Sequence, residues 1–533
     1  MLDLIIKNGR VIDGTGNPWV YNDIGIKGDR IVQIGQVEGE AVRIIDALNM
    51  VVAPGFIDMH SHSDLTRFDD PLGEIKLQQG VTTEVTGNCG LSPAPLSDGT
   101  AELLKSYGEP IIGRLRYDWN WHTYGEYMNE LSKQTFSCNI VPCIGSGSLR
   151  IAAKGFEKGQ LCADEMDRVK HLLSEGLDAG AMGLSMGLMY APECYYLKDE
   201  LIEICTVAAR YGILLTSHIR GEGASLVASV KEVVHIAESI GIPLNISHFK
   251  AAGVKNWGGV LEQAMGIIED GRSRGIDITC DVYPYTAGST SLPALLPPWA
   301  QEGGIAGTIS RLKDKDIRGK IRSDLLQEHT YWDNSLLGSG WDRVYVSTAN
   351  TGKNRSYIGK SMSEIAALSG KDPVDSALDL ITEENGNIAV VIHQMSDEDV
   401  KKIIAWDKSI IVSDSLYAAG GNPHPRMYGA FPRLFGKYVR EDRVLTIEKA
   451  VKKVTSLPAE RFGINGRGLL KPDFIADITI FDPDSIKDTA TYENPRQYPE
   501  GISYVIVGGQ VTIEMGRHTG AKNGSVIRKG MFI

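Results

Sequence analysis

The chain has 533 residues, 42% of them apolar and 23% charged, with a net charge of −12. That length buries a large core without disulfide or metal staples, and it accommodates about three or four units of ~150 residues or one enlarged α/β barrel. The acidic balance argues against a polyanion partner, because phosphate backbones need a basic stripe; it leaves room for a small anionic substrate held by a few local cations.

The opening MLDLIIKNGRVIDG reads as an alternating strand and a turn, without the basic start and apolar stretch of an export signal. No apolar run reaches the ~18 residues of a membrane span. Cys89, Cys138, Cys143, Cys162, Cys194, Cys205 and Cys280 are odd in number and sparse, which predicts free thiols in a reducing compartment. The expectation is a cytoplasmic protein without nucleic-acid or membrane partners.

Residues 1–52 alternate apolar and polar positions through DLIIKNGRVIDG, YNDIGIKGDRIVQIG and VRIIDALNMVV, the pattern of short antiparallel strands with one buried face. FIADITIFDP and ISYVIVGGQVTIEMG repeat that texture near the far end. Together they predict a small β-sandwich built from residues 1–52 and 466–533, with residues 53–465 as a long insertion whose ends lie close together. Within it, eight apolar strand candidates follow in order: APGFIDMH, GVTTEVTG, CNIVPCIG, AMGLSMGL, GILLTSH, PLNISH, DITCDVYPY and SIIVSD. Amphipathic helical segments such as ADEMDRVKHLLSEGLDAG and KDELIEICTVAARYG lie between them. The alternation predicts an α/β fold, a (β/α)₈ TIM-like barrel. An open doubly wound sheet is the competing reading, weakened because no glycine-rich phosphate loop follows any strand. The stretch between the seventh and eighth strands is too long for one barrel helix, and about 290–400 is predicted to be an inserted lid or subdomain.

Metal-seeking residues gather at the C-terminal ends of these strands. The first ends in Asp58-Met59-His60-Ser61-His62, and positions i and i+2 of a strand share a side, so His60 and His62 can aim at one ion. The second ends in Gly87-Asn88-Cys89-Gly90, a thiol at a glycine-flanked turn. The fifth ends in His218, the sixth in His248 and the eighth in Asp414. Each residue alone has an ordinary structural explanation: a hydrogen-bonded core histidine, a small buried cysteine, a capping aspartate. Four of only 11 histidines standing at strand ends beside a thiol and a carboxylate point instead to a metal centre. Six donors exceed the four that one tetrahedral zinc needs, so two ions are conceivable, and the thiolate favours zinc over magnesium or manganese. His122, His171, His235, His329 and His518 sit in helical or loop contexts and are read as structural. His424 either faces the substrate or shapes its loop.

The strand-end HxH, the two later histidines and the final aspartate resemble the metal-dependent amidohydrolase superfamily. More narrowly, LIIKNGRVIDGTG, APGFIDMHSHSD, GVTTEVTGNCGLSPAP, GLMYAP, TSHIR, ISHFK, HPRMYGAFPR, TSLPAERFG and HTGAKNGSVIR resemble the D-aminoacylase (N-acyl-D-amino-acid deacylase) family across nearly the whole chain. The fourth strand has no lysine of the kind that hydantoinases and dihydroorotases carboxylate to bridge two metals. The resemblance implies a tight zinc on Cys89, His218 and His248, a weaker site on His60, His62 and Asp414, and hydrolysis of N-acyl-D-amino acids by activated water. Asp414 would take the water proton and return it to the leaving amine. It further implies that Arg220, Lys250, Tyr283 and Ser289 bind the substrate carboxylate, with Tyr190 completing the cradle. Arg220 and Lys250 each lie two residues past a ligand histidine, so each shares its side if the strand continues. Departures at Ala191-Pro192-Glu193-Cys194-Tyr195-Tyr196, Gly221 and Ser415 touch the pocket wall and bear on side-chain preference. A cyclic amidase or deaminase, or a catalytically silent barrel with an assembly role, are the other readings.

Overall fold

The alternating opening segments do form strands: β1 (Leu2–Val11), β2 (Val20–Lys27), β3 (Arg30–Gly35), β4 (Ala41–Asp46) and β5 (Val51–Pro54). The structure is a computed structural model and describes residues 1–113, 115, 118–417 and 420–530. β1 pairs antiparallel with β2, and β2 with β3, but β4 and β5 both run parallel to β1, which corrects the purely antiparallel expectation. The cause is a register shift between Ile6 and Gly9 that divides β1, its first half taking β4 and Arg10–Val11 taking β5. Gly9 permits the division, since a Cβ there would collide with the side chain of Val52.

The barrel follows as β6 (Phe56–Asp58), β7 (Val81–Thr86), β8 (Asn139–Pro142), β9 (Ile144–Gly145), β10 (Gly183–Gly187), β11 (Leu214–His218), β12 (Leu244–Ile246) and β13 (Ile278–Val282). After β13 come β14 (Ala287–Ser291), β15 (Val344–Thr348) and β16 (Ala389–His393), and then the last barrel strand, β17 (Ser409–Ile411). β6, β7 and β8 pair in parallel, and β9 through β13 and β17 form a second parallel run. β8 and β9 are one strand interrupted at Cys143, and the ring closes where the Asp414 N–H donates to the His60 carbonyl at 2.9 Å. Eight strands thus make the predicted barrel, with apolar side chains such as Ile57, Val85, Val141 and Ile410 filling its interior.

β14, β15 and β16 form a separate antiparallel sheet in the order β14–β16–β15. Helices Met362–Ser369 and Pro373–Glu383 pack on it around Leu336, Val346, Leu378, Ile388 and Val390, a core of its own. The long connection between the seventh and eighth barrel strands is therefore a folded unit. β18 (Ile478–Phe481), β19 (Ile502–Val507), β20 (Gln510–Glu514) and β21 (Arg517–His518) extend the opening sheet through a β18–β5 pairing, making nine strands from both chain ends. Among the described residues, no helix is long and apolar enough to cross a membrane.

Under the barrel mouth lies a buried ionic network that sequence reasoning did not anticipate. Lys76 Nζ donates to Asp58 Oδ2 at 2.5 Å, to Ser413 Oγ at 2.6 Å and to Ser415 Oγ at 3.1 Å, joining the first and last strands. Glu84 accepts from Arg67 Nε at 2.7 Å and from Ser61 Oγ at 2.9 Å, joining the second strand to the first. Burial alone would raise the Glu84 carboxyl, but Arg67 and Lys76 bring it down from 4.5 to about 2. Its stabilisation is therefore complete above 4.5 and disappears as the pH falls toward about 2. Glu84→Gln strands a buried guanidinium and is expected to cost ~3–5 kcal/mol. Urea denaturation at neutral pH measures that loss, and repeating it between pH 4.5 and 2 should show a flatter acid dependence than the parent chain.

Candidate functional site

The strand ends converge because their backbones are fixed to one another. His62 N–H donates to the Ser415 carbonyl at 3.1 Å and Ser61 N–H to that of Val85 at 3.1 Å, so the HxH segment is held between the second and eighth strands. Past β7 the chain turns through left-handed residues, Gly87 at φ 76°, Cys89 at 51° and Gly90 at 74°. A Cβ at Gly90 would overlap the buried Glu193 carboxylate, so the turn needs glycine there. His248 (φ 34°) and Asp414 (φ 48°) are also left-handed. Three of the six candidate ligands thus occupy backbone conformations costing of order 1–3 kcal/mol each, the kind of strain that clusters at functional sites.

The six predicted donors meet at the mouth. His60 Nε2 lies 3.2 Å from Cys89 Sγ and 3.5 Å from Asp414 Oδ1; His62 Nε2 lies 3.3 Å from the same oxygen, and His248 Nε2 lies 3.5 Å from the thiol. Their donor atoms form three compact groups, His60–Cys89–His248, His60–His62–Asp414 and His218–Glu222–His248. The expected weaker set is one of these groups, whereas the expected tight set spans two of them through His248. His218 is buried, and neither of its ring nitrogens has a hydrogen-bond partner among the described residues. Such an orphaned imidazole suits a cation.

Electrostatics inside the group are strong. Burial opposes ionisation of Cys89, yet His60 and His248 hold its thiol well below the ordinary range. Burial and Lys250 push His248 down, but Glu222 and Cys89 prevail and raise it to about 9. His218 is lowered by burial and by His248. Asp414 resists its burial because Arg426 and His60 keep the carboxyl well below its usual range. A thiolate, a carboxylate and several imidazoles in contact, with protons between them, form the donor set of a transition-metal site.

A cavity opens beside this group, lined by Tyr190, Lys250, Tyr283 and Ser289, all foreseen, and by Met189, Leu295, Ile392, Gln394 and Arg426, which were not. Arg220 is a correction. It does not line the cavity; its guanidinium pairs with Glu232 at 3.0 Å and donates to the carbonyls of Cys194 (2.8 Å) and Tyr196 (3.2 Å). β11 ends at His218 and the chain then turns, so the two-residue alternation that would have aimed Arg220 inward stops.

Glu222 and Asp281 were missed as well, and Arg426 does more than line the cavity. Glu222, four past His218, lies 2.8 Å from His248 Nδ1 and accepts from Lys250 Nζ at 2.5 Å. Asp281, inside the seventh strand, lies 3.4 Å from His60 Nδ1 and accepts the His248 N–H at 2.6 Å. Arg426 pairs with Asp414 Oδ2 at 2.9 Å, stacks 4.4 Å over the Tyr283 ring, and is buried with Nε and Nη1 unpartnered among the described residues. Its position inside HPRMYGAFPR was the available signal.

Comparison with known proteins agrees with this arrangement. The profile of the amidohydrolase family matches residues 43–274 and 307–513. An N-acyl-D-glutamate deacylase of Alcaligenes xylosoxydans xylosoxydans is 35% identical over 95% of this chain and 93% of its own length. A D-aminoacylase of the same organism is 32% identical over 99% of this chain and 98% of its own. The crystal structure of N-acyl-D-glutamate deacylase from Bordetella Bronchiseptica, complexed with zinc and a phosphonate mimic of the tetrahedral intermediate, superposes with a TM-score of 0.83 at 31% identity, covering 99% of each chain. This chain belongs to the D-aminoacylase (N-acyl-D-amino-acid deacylase) family of the metal-dependent amidohydrolases.

Proposed function

We propose that the protein is a zinc-dependent deacylase that hydrolyses N-acyl-D-amino acids to a carboxylate and a free D-amino acid. The observation that carries this reading is the convergence of His60, His62, Cys89, His218, His248 and Asp414 beside a cavity with two buried cations. Cys89, His218 and His248 would hold the tight ion, and His60, His62 and Asp414 a weaker one. An ion held there would supply Lewis acidity, of the kind that brings the pKa of water toward ~7 and polarises a carbonyl.

The protein's own groups do the rest. Asp414, ionised at neutral pH, accepts the proton of the attacking water and returns it to the amine nitrogen, which leaves poorly as an anion. Arg426 engages one oxygen of that carboxylate and leaves the other toward His60 and His62. Lys250, Tyr283, Ser289 and the free donors of Arg426 receive the substrate carboxylate. Seven free cysteines support a cytoplasmic location.

The walls select the side chain. Lys250 and Arg426 are already faced by Glu222 and Asp414, and Cys89 adds a thiolate. Lys250 and Arg426, the lysine and arginine that line the cavity, are both engaged by the one substrate carboxylate. A second, from D-glutamate or D-aspartate, would lie unpaired against Met189, Leu295 and Ile392. Apolar D-residues are therefore the preferred substrates.

Release of free amine from zinc-loaded protein tests this. N-acetyl-D-methionine should exceed both its L enantiomer and N-acetyl-D-glutamate by about a hundredfold or more in kcat/KM. Turnover of the L series alone, or of hydantoin in preference, would overturn the reading. Asp414→Asn should lower kcat by ~10²–10⁴-fold while the tightly held zinc stays close to that of the parent. Glu222→Gln removes the carboxylate behind His248 and should weaken zinc retention by ~10–100-fold, measured by metal content after dialysis against graded chelator.

A further inference from the structure

His424 is buried beside the cavity without reaching the metal group, and both of its ring nitrogens are committed. Nδ1 accepts the N–H of Arg426 at 2.9 Å, and Nε2 lies 2.9 Å from the carbonyl oxygen of Ala287. A nitrogen that accepts from an amide carries no proton, so Nε2 must carry it and donate to Ala287. The two bonds fix one neutral tautomer. Burial and the charge of Arg426 both hold the ring well below its ordinary range, which keeps it neutral at physiological pH. The rings of Tyr285 and Tyr492 stand edge-on to it, each with centroids 5.2 Å away, and set its plane.

The two partners belong to different parts of the fold. Ala287 opens β14, the strand of the inserted sheet that carries Ser289. Arg426 is the first residue of the helix Arg426–Arg433, whose leading N–H groups lack partners within the helix. Arg426 reaches back to Asp414 with Nη2, and the Ser289 carbonyl lies 3.5 Å from that same nitrogen. One imidazole therefore sets the spacing between the inserted strand and the arginine.

We propose that His424 is a positioning residue that holds Ser289 and Arg426 at the separation needed to grip the substrate carboxylate together. The inference rests on the reading that these residues receive that carboxylate. A general structural role would lower activity on every substrate alike; a positioning role adds, to any loss shared by all substrates through the Arg426–Asp414 pair, a penalty confined to substrates that carry the carboxylate.

The test compares N-acetyl-D-methionine with its C-terminal amide, which keeps the scissile bond and loses the charge. The zinc-loaded parent should favour the free acid strongly. His424→Phe keeps the ring and its aromatic neighbours but loses both bonds. It should reduce the acid-to-amide ratio of kcat/KM by about tenfold or more, mainly through KM for the acid, with zinc content unchanged. His424→Asn, which retains an acceptor near Nδ1, and His424→Gln, which retains a donor near Nε2, should fall between, and they carry the test if the phenylalanine variant does not fold. An unchanged ratio in variants that fold and hold zinc would overturn the proposal. A parent that does not discriminate acid from amide would instead refute the carboxylate cradle itself.

Discussion

Gathering a half-buried thiolate, a carboxylate and four buried imidazoles within contact distance is the constraint on which the rest of this structure depends. Left alone, such groups would repel, lose their solvation and drive the strand ends apart. Opposite charges are therefore placed behind and beside them. Asp281 and Glu222 stand behind His60 and His248, Arg426 stands on Asp414, and the Lys76–Asp58 and Arg67–Glu84 pairs lie beneath. The same pairs are bonded to backbone or hydroxyl groups of neighbouring strands, so the charge balance of the site and the closure of the barrel are one network. The Ser413 and Ser415 hydroxyls illustrate this: both bind Lys76, and they flank Asp414 on either side. The left-handed conformation of Asp414 is thereby held from both sides, which is how a strained residue persists in a stable fold.

Much of this was legible in the sequence, because parallel barrels write their chemistry at the ends of apolar strands. FIDMHSH and TGNCG each announce a buried strand that stops at donors, and the eight strands occur where the apolar runs put them. What was not legible depended on where the backbone leaves the strand. Arg220 and Lys250 occupy equivalent positions after ligand histidines, yet only Lys250 lines the cavity. The left-handed turn at His248 carries the chain inward, while after His218 it turns toward Glu232. Glu222 and Asp281 were invisible for a different reason. Lone carboxylates in a chain with 67 acidic residues carry no signal until a fold sets them against an imidazole. The parallel pairing of β4 and β5 onto β1 was hidden likewise, since alternation reports a buried face and not strand direction.

The site also divides its labour between two cores. The metal-seeking residues and Asp414 stand at the ends of barrel strands, whose interior is packed and whose ends are bonded to one another. Ser289, Leu295 and Ile392 belong to the inserted unit, which has its own hydrophobic core between the seventh and eighth strands. A change in that unit can reshape the wall facing the substrate side chain without disturbing the donors, because the two units pack on separate hydrophobic cores. Arg426 is the exception. It touches Asp414 on the barrel and lies against Ser289 on the insertion, so bond cleavage and substrate recognition share one guanidinium. A displaced Arg426 would affect the protonation of Asp414 and the seat of the substrate carboxylate at once, which is why its own anchorage bears on both.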